Sequence, residues 1–415
     1  MSTSASSAST TSTASTSQFN CIDLFCGAGG LSLGLEMAGF KNVFSIDADV
    51  GSINTIRANY PETVALCEPI EFLNEEKLKK YIGDKKIHLI AGGPPCQGFS
   101  TIGKGDPNDQ KNTLFRHFIR MVEIVRPSFV LFENVTGLVA KKNQFVVDAI
   151  AQSFDQIGYK LHIRVLESQH YGVPQKRKRT LIVACKKEFH FAFPAPTCDT
   201  YHNSLYIPPK TLGGALLELE SYVAGTNIKD ELHDVKKLKI TKEIDRSRLK
   251  HIPEGACIRY QEDEERYLPK ELRLKVDWKN LRENRLRENH YHRLSRNKPS
   301  PTINTMNHHY YHPTECRPLS VREFSVLQSF PPNYIFKGNR RSIMRQIGNA
   351  VPPLMAKAIG AEIVRALSGG VGAEARLLKG HIAPSTTESV VADVRAKAFI
   401  YSERKQKRRV FCKEK

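Results

Sequence analysis

The chain has 415 residues, 40% apolar and 25% charged, with a formal net charge of +19 and a pI of about 9.5. That length accommodates two or three domains with sizeable cores, and no apolar run approaches the roughly 18 residues of a spanning helix, so no membrane partner is expected. The cationic excess favours a polyanion, most often nucleic acid.

Residues 1–18 are nearly all Ser, Thr and Ala, a low-complexity leader expected to be disordered and unlike a signal peptide. The nine cysteines form no Cys-x-x-Cys pair, which fits a reduced, intracellular protein. From Phe19 to Pro196 apolar runs predict strands at Cys21–Phe25, Val43–Asp47, Ile87–Ala91, Phe129–Glu133 and Thr180–Cys185. Helical spacing predicts helices at Leu31–Ala38, Ser52–Asn59, Leu114–Val125 and Phe145–Ile157. The alternation argues for an α/β unit with a parallel sheet. Residues 197–298 lose the alternation, become rich in charge and turns, and read as a second domain; Arg282, Arg285, Arg287 and Arg293 lie in it. Regular texture returns over 299–367, with helices at Val321–Phe330 and Met355–Leu367, and 368–415 reads as a flexible basic tail. His308, His309 and His312 cluster without ligand-spaced cysteines or a glutamate, so no metal site is expected.

Chemistry concentrates in Gly92-Gly-Pro-Pro-Cys96-Gln-Gly-Phe-Ser100. The prolines stiffen the turn after a short strand, and the glycines let backbone approach what lies above it. A thiol on such a loop is presented for attack rather than packed. Asp23-Leu-Phe25-Cys-Gly27-Ala-Gly29-Gly30 is a Gly-rich strand-to-helix turn, suited to a nucleotide-like cofactor at a helix N-terminus. Asp47, about twenty residues on, can accept ribose hydroxyls; NAD, FAD and S-adenosylmethionine sites all share this pattern. Glu133-Asn134-Val135 ends another strand, which places Glu133 and Cys96 at one sheet edge as an acid beside a nucleophile. Gln175-Lys-Arg177-Lys-Arg179 should point some arginines into the same crevice. Gly348-Asn349-Ala-Val351-Pro-Pro353 reads as a tight turn before a helix, either a cofactor contact or a helix entry.

Together these blocks, with Arg317-Pro-Leu-Ser-Val-Arg-Glu323 and Leu327-Gln-Ser-Phe-Pro331, resemble the DNA (cytosine-5) methyltransferases over roughly residues 19–367. The resemblance implies a Rossmann-like methyltransferase sheet with helices on both faces and a smaller, irregular target-recognition domain. It implies S-adenosyl-L-methionine as cofactor, held by Phe25, Gly27, Gly29, Gly30, Leu31, Asp47, Pro94, Asn349 and Val351. The family's usual Asp for the adenine amine is replaced here by Glu68. Cys96 is implied as nucleophile toward carbon 6 of a flipped cytosine, Glu133 as the holder of ring nitrogen 3 and the amine, and Arg179 as the holder of the carbonyl oxygen. Arg177, counted with the catalytic residues, is implied as support for the loop or for a phosphate, and Gln97–Asn112 as a mobile lid. Double-stranded DNA is the implied partner of a monomeric enzyme working in nucleoid or nucleus. A transfer-RNA methyltransferase on the same scaffold would carry Cys-Phe-Thr, which this chain lacks. A catalytically inactive recruiter would have lost residues that are all kept here.

Overall fold

The computed structural model describes residues 19–95, 113–198, 207–226, 230–305 and 310–370. The leader, the tail after Gly370, Cys96, the expected lid Gln97–Asn112, His308 and His309 lie outside the described residues.

The first part alternates β1 (Phe19–Leu24), α1 (Gly30–Met37), β2 (Phe40–Asp47), α2 (Val50–Asn59), β3 (Val64–Cys67), α3 (Glu75–Ile82), β4 (Leu89–Gly92), α4 (Thr113–Val125), β5 (Phe129–Asn134), α5 (Gln144–Gln156), β6 (Tyr159–Glu167) and β7 (Lys178–Lys186). They build one sheet in the order β3-β2-β1-β4-β5-β7-β6. Strands β1 to β5 pair in parallel, but β7 runs antiparallel to both β5 and β6. The expectation of a parallel sheet is therefore corrected at this edge. A parallel return needs a crossover of a dozen or more residues, usually helical. Only Ser168–Arg177, with one short 3-10 turn at Ser168–Tyr171, joins β6 to β7.

The central strands are buried on both faces, as parallel strands between helices must be. Ile22, Leu24, Ile90, Val130 and Phe132 are essentially inaccessible. One face packs Leu78, Phe118, Met121, Ile150 and Phe154 of α3, α4 and α5. The chain then runs through α6 (Leu212–Thr226), α7 (Glu243–His251), β8 (Ile258–Tyr260), α8 (Gln261–Tyr267), β9 (Arg285–His290), α9 (Val321–Leu327), α10 (Arg340–Asn349) and α11 (Pro353–Leu367). Helix α11 returns to the other sheet face, where Met355, Ile359 and Ile363 pack with Leu31 and Leu35 of α1. The last described helix thus completes the core begun by the first.

Between these layers and the remainder lies a third cluster, in which Leu212, Ala215 and Leu216 of α6 pack with Phe324, Leu327, Ile343 and Ile347 of α9 and α10. A separate small core unites Leu249, Ile252, Ile258, Leu268, Trp278 and Tyr291. Its indole is fixed by Trp278 Nε1 donating to buried Glu264 at 2.8 Å. Arg293, one of the arginines of the stretch read as a second domain, is a buried strut. Its guanidinium donates to the carbonyls of Leu249, Ile252, His312 and Glu315. Arg285 pairs with Glu283 at 2.6 Å, and the Arg287 side chain lies outside the described residues. Gly348-Asn349 is also not a free turn: it forms the last residues of α10, and Pro352 then caps α11.

Candidate active site

The loop from β1 to α1 is held in an uncommon shape. Phe25, Gly27 and Gly29 all have positive φ, at 60°, 51° and 78°. Such backbone in a non-glycine residue costs on the order of 1 kcal/mol or more and persists only when surroundings fix it. Here Cys26 N–H donates to the Ile46 carbonyl at 3.2 Å and Gly27 N–H to Asp47 Oδ2 at 2.9 Å. Glycine is required at Gly29 on two counts, since a Cβ there would also lie 2.6 Å from Ile56 Cδ1. At Gly30 a Cβ would lie 2.3 Å from the Val351 carbonyl oxygen, so the N-terminus of α1 sits flush against the returning segment. The result is a helix N-terminus, with its positive partial charge, at the sheet's C-terminal edge.

Asp47 ends β2 beside this loop. Its second oxygen accepts from Asp49 N–H at 2.8 Å. Burial raises its carboxyl above the usual range, against the pull of those backbone donors. Glu68 follows β3, and Lys77 Nζ lies 2.7 Å and 2.5 Å from its two carboxylate oxygens.

Asp23, in β1, is 1% exposed. One oxygen accepts from the Ser32 hydroxyl, and the other has no hydrogen-bond partner among the described residues. Burial pushes its carboxyl up to about 7, the Ser32 hydroxyl pulls it down, and the Asp47 carboxylate adds to the rise. While the folded carboxyl stays protonated and the unfolded one ionises, unfolding releases a proton, so stability falls with rising pH. The advantage of Asp23→Asn over the wild type should therefore grow by on the order of 1 kcal/mol per pH unit between about 4 and 7, then level off. Urea unfolding across that range checks it; a pH-independent difference would show that Asp23 does not titrate there.

Glu133 is the penultimate residue of β5 and is largely buried, with Arg179 Nε 2.5 Å from Oε1. The antiparallel pairing of β5 with β7 creates this meeting, because Asn134 is registered with Thr180. Burial raises the Glu133 carboxyl above its usual range, opposed by the charges of Arg179 and then Arg177. Asn134 Nδ2 donates to the Pro94 carbonyl at 3.1 Å, tying the end of β5 to the loop that carries Cys96.

Arg177, counted with the catalytic residues but expected to support the loop or a phosphate, is withdrawn from the cavity. It is 1% exposed, and its guanidinium donates to the carbonyls of Ile303 (3.0 Å) and Gly348 (2.8 Å). It does not line the cavity. Its hydrogen-bonding capacity goes to anchoring the segment before Asn349, and only its charge reaches Glu133.

One cavity of about 780 Å³ collects the rest of the prediction. Phe25, Gly27, Gly30, Leu31, Asp47, Glu68, Pro94, Glu133, Arg179, Asn349 and Val351 line it, whereas Gly29 does not. Asp23, Ile70, Arg345 and Gln346 also line it, and sequence reasoning did not single them out. Asp23 and the Arg345-Gln346 pair sat inside or beside quoted motifs; Ile70 follows Glu68 by two residues and carried no signal of its own. Among the described residues no helix is long and apolar enough to cross a membrane.

The family of C-5 cytosine-specific DNA methylases matches residues 19–365. Type II methyltransferase M1.HphI of Haemophilus parahaemolyticus is 31% identical over 348 residues, covering 83% of this chain and 86% of the relative. Type II methyltransferase M.DdeI of Desulfomicrobium norvegicum is 32% identical over 374 residues, covering 83% and 88%. A crystal structure described as a prophage-encoded DNA modification methyltransferase of E. coli superposes with a TM-score of 0.64 at 26% identity, covering 85% of this chain and all of that one. With the Gly-rich loop, the Glu133–Arg179 pair and Pro94-Pro95 converging on one cavity, this chain belongs to the C-5 cytosine-specific DNA methylases and is a DNA (cytosine-5) methyltransferase.

Proposed function

We propose that the chain transfers a methyl group from S-adenosyl-L-methionine to carbon 5 of a cytosine extruded from duplex DNA, with Cys96 as transient nucleophile. The buried Glu133–Arg179 pair at the wall of the cavity carries this reading. The Asp47 carboxylate and the buried, unpartnered oxygen of Asp23 suit the ribose and cationic parts of such a cofactor, and the N-terminus of α1 suits its carboxylate. When bound, the cofactor supplies the methyl group.

This chain's own residues do the remaining work. The Cys96 thiolate adds to carbon 6 of the ring, which makes carbon 5 nucleophilic and splits one hard step into easier ones. Glu133, its carboxyl raised by burial, holds ring nitrogen 3 and the exocyclic amine and offsets the charge that develops there. Arg179 holds Glu133 in place and presents its guanidinium to the cytosine carbonyl oxygen. After alkylation a base removes the carbon 5 proton, the carbon–sulfur bond breaks, and the thiolate is restored. Extruding the base costs a few kcal/mol of unstacking. Residues 197–298, which hold the small Trp278 core, serve as the target-recognition region, and the enzyme acts as the modification half of a restriction–modification pair, as the names of its relatives suggest.

Bisulfite sequencing of DNA from cells expressing the chain should reveal 5-methylcytosine in a fixed sequence context. Tritium from labelled cofactor should enter duplex DNA and not transfer RNA; label in RNA alone would overturn the reading. Affinity for DNA should fall steeply with salt, by about a thousandfold or more between roughly 50 and 200 mM if six or more phosphates are neutralised.

A further inference from the structure

We infer that Tyr334 is a positioning residue for the cofactor loop, and that the Asp230–Arg322 ion pair orients it, so that the chain entering the recognition region helps to set cofactor affinity. The inference rests on the cofactor reading above.

Tyr334 lies between α9 and α10 and is 4% exposed. Its ring is wedged against Phe330 and Phe336, with centroids 4.8 Å and 5.2 Å away, which fixes where the hydroxyl points. That hydroxyl donates to the Ala28 carbonyl at 2.6 Å. Ala28 is buried in the β1–α1 loop, lines the cavity, and sits between the positive-φ residues Gly27 and Gly29. A Cβ on Gly29 would come within 3.0 Å of the same hydroxyl, so tyrosine and loop are in direct register. Loss of this bond leaves a buried carbonyl without its donor at the point where the loop is most bent.

The other end of Tyr334 is also held. Its carbonyl accepts from Arg322 NH1 at 2.8 Å, and Arg322 Nε lies 2.5 Å from Asp230 Oδ2. Asp230 Oδ1 accepts from Leu232 N–H at 2.9 Å, at the start of the short helix Glu231–His233. The Arg322 side chain is 7% exposed and that of Asp230 19%, so the pair is largely withdrawn from solvent. Every link from Asp230 to Ala28 is a hydrogen bond, an ion pair or the rigid body of one side chain. Asp230 stands where the chain leaves α6 and heads for the Trp278 core.

Calorimetric binding of S-adenosylhomocysteine to the full chain, with steady-state kinetics, tests this. Tyr334→Phe keeps the ring and removes only the donor; it should weaken binding about tenfold and raise the cofactor KM equally, with kcat at saturation within about twofold. Asp230→Asn retains the Leu232 acceptor and should weaken binding about threefold. The double variant should match Tyr334→Phe alone, since the pair acts through the tyrosine. Wild-type affinity in either single variant, additive losses in the double, or a fall in kcat with unchanged KM would each overturn the inference. A wild-type protein that binds no S-adenosylhomocysteine would instead overturn the cofactor reading, and this inference with it.

Discussion

Cys96→Ser is expected to lose methyl transfer by at least roughly a thousandfold while binding DNA as tightly as the wild type. A hydroxyl at this position is almost never ionised near neutral pH and cannot replace the thiolate as nucleophile, yet it hardly changes size. A second measurement isolates the covalent step. DNA carrying 5-fluorocytosine at the target should trap the wild-type enzyme, because fluorine replaces the proton whose removal precedes elimination. The trapped species should resist denaturant and require the methyl donor, and mass spectrometry should place the crosslink on Cys96. Turnover in the serine variant, or a crosslink on another side chain, would refute the covalent route.

Glu133→Gln should lower kcat by about a hundred- to a thousandfold, with cofactor affinity unchanged. Glutamine fills the same volume but can neither donate a carboxyl proton to ring nitrogen 3 nor balance Arg179, 2.5 Å away in the native pair. The loss should appear in the chemical step, measured by single-turnover kinetics with saturating DNA and cofactor. Near-normal single-turnover rates would remove Glu133 from the mechanism and leave it as a partner for Arg179. Because Asp47 and the cofactor loop are untouched, a change confined to cofactor KM would equally contradict the assigned role.

Local chemistry made much of the site legible. Glycines at Gly27 and Gly29 mark a loop that needs left-handed backbone, and apolar runs ending in Asp47 and Glu133 mark strands whose ends carry carboxylates. These features depend on a few neighbouring residues, so the chain reveals them without its fold. The structure moves their boundaries by a few residues, as with Cys21–Phe25, which is observed as Phe19–Leu24. Strand β3 was too short to stand out, and β6, with Lys160, Arg164 and buried Ile163, was assigned to no element.

What the sequence by itself determined is the set of reactive groups and the turns that present them: a thiol after two prolines, a carboxyl at a strand end, a glycine loop before a helix. Only the tertiary structure decided which partners each like-charged neighbour meets. Arg177 and Arg179 are two residues apart and chemically identical, but one spends its guanidinium on the carbonyls of Ile303 and Gly348 while the other meets Glu133. Arg293 is withdrawn into a buried strut in the same way, and Tyr334 acquires its partner Ala28 from 306 positions away. Backbone conformation is set by local sterics, whereas the partner of a buried polar group is set by which distant segment folding brings within hydrogen-bond reach.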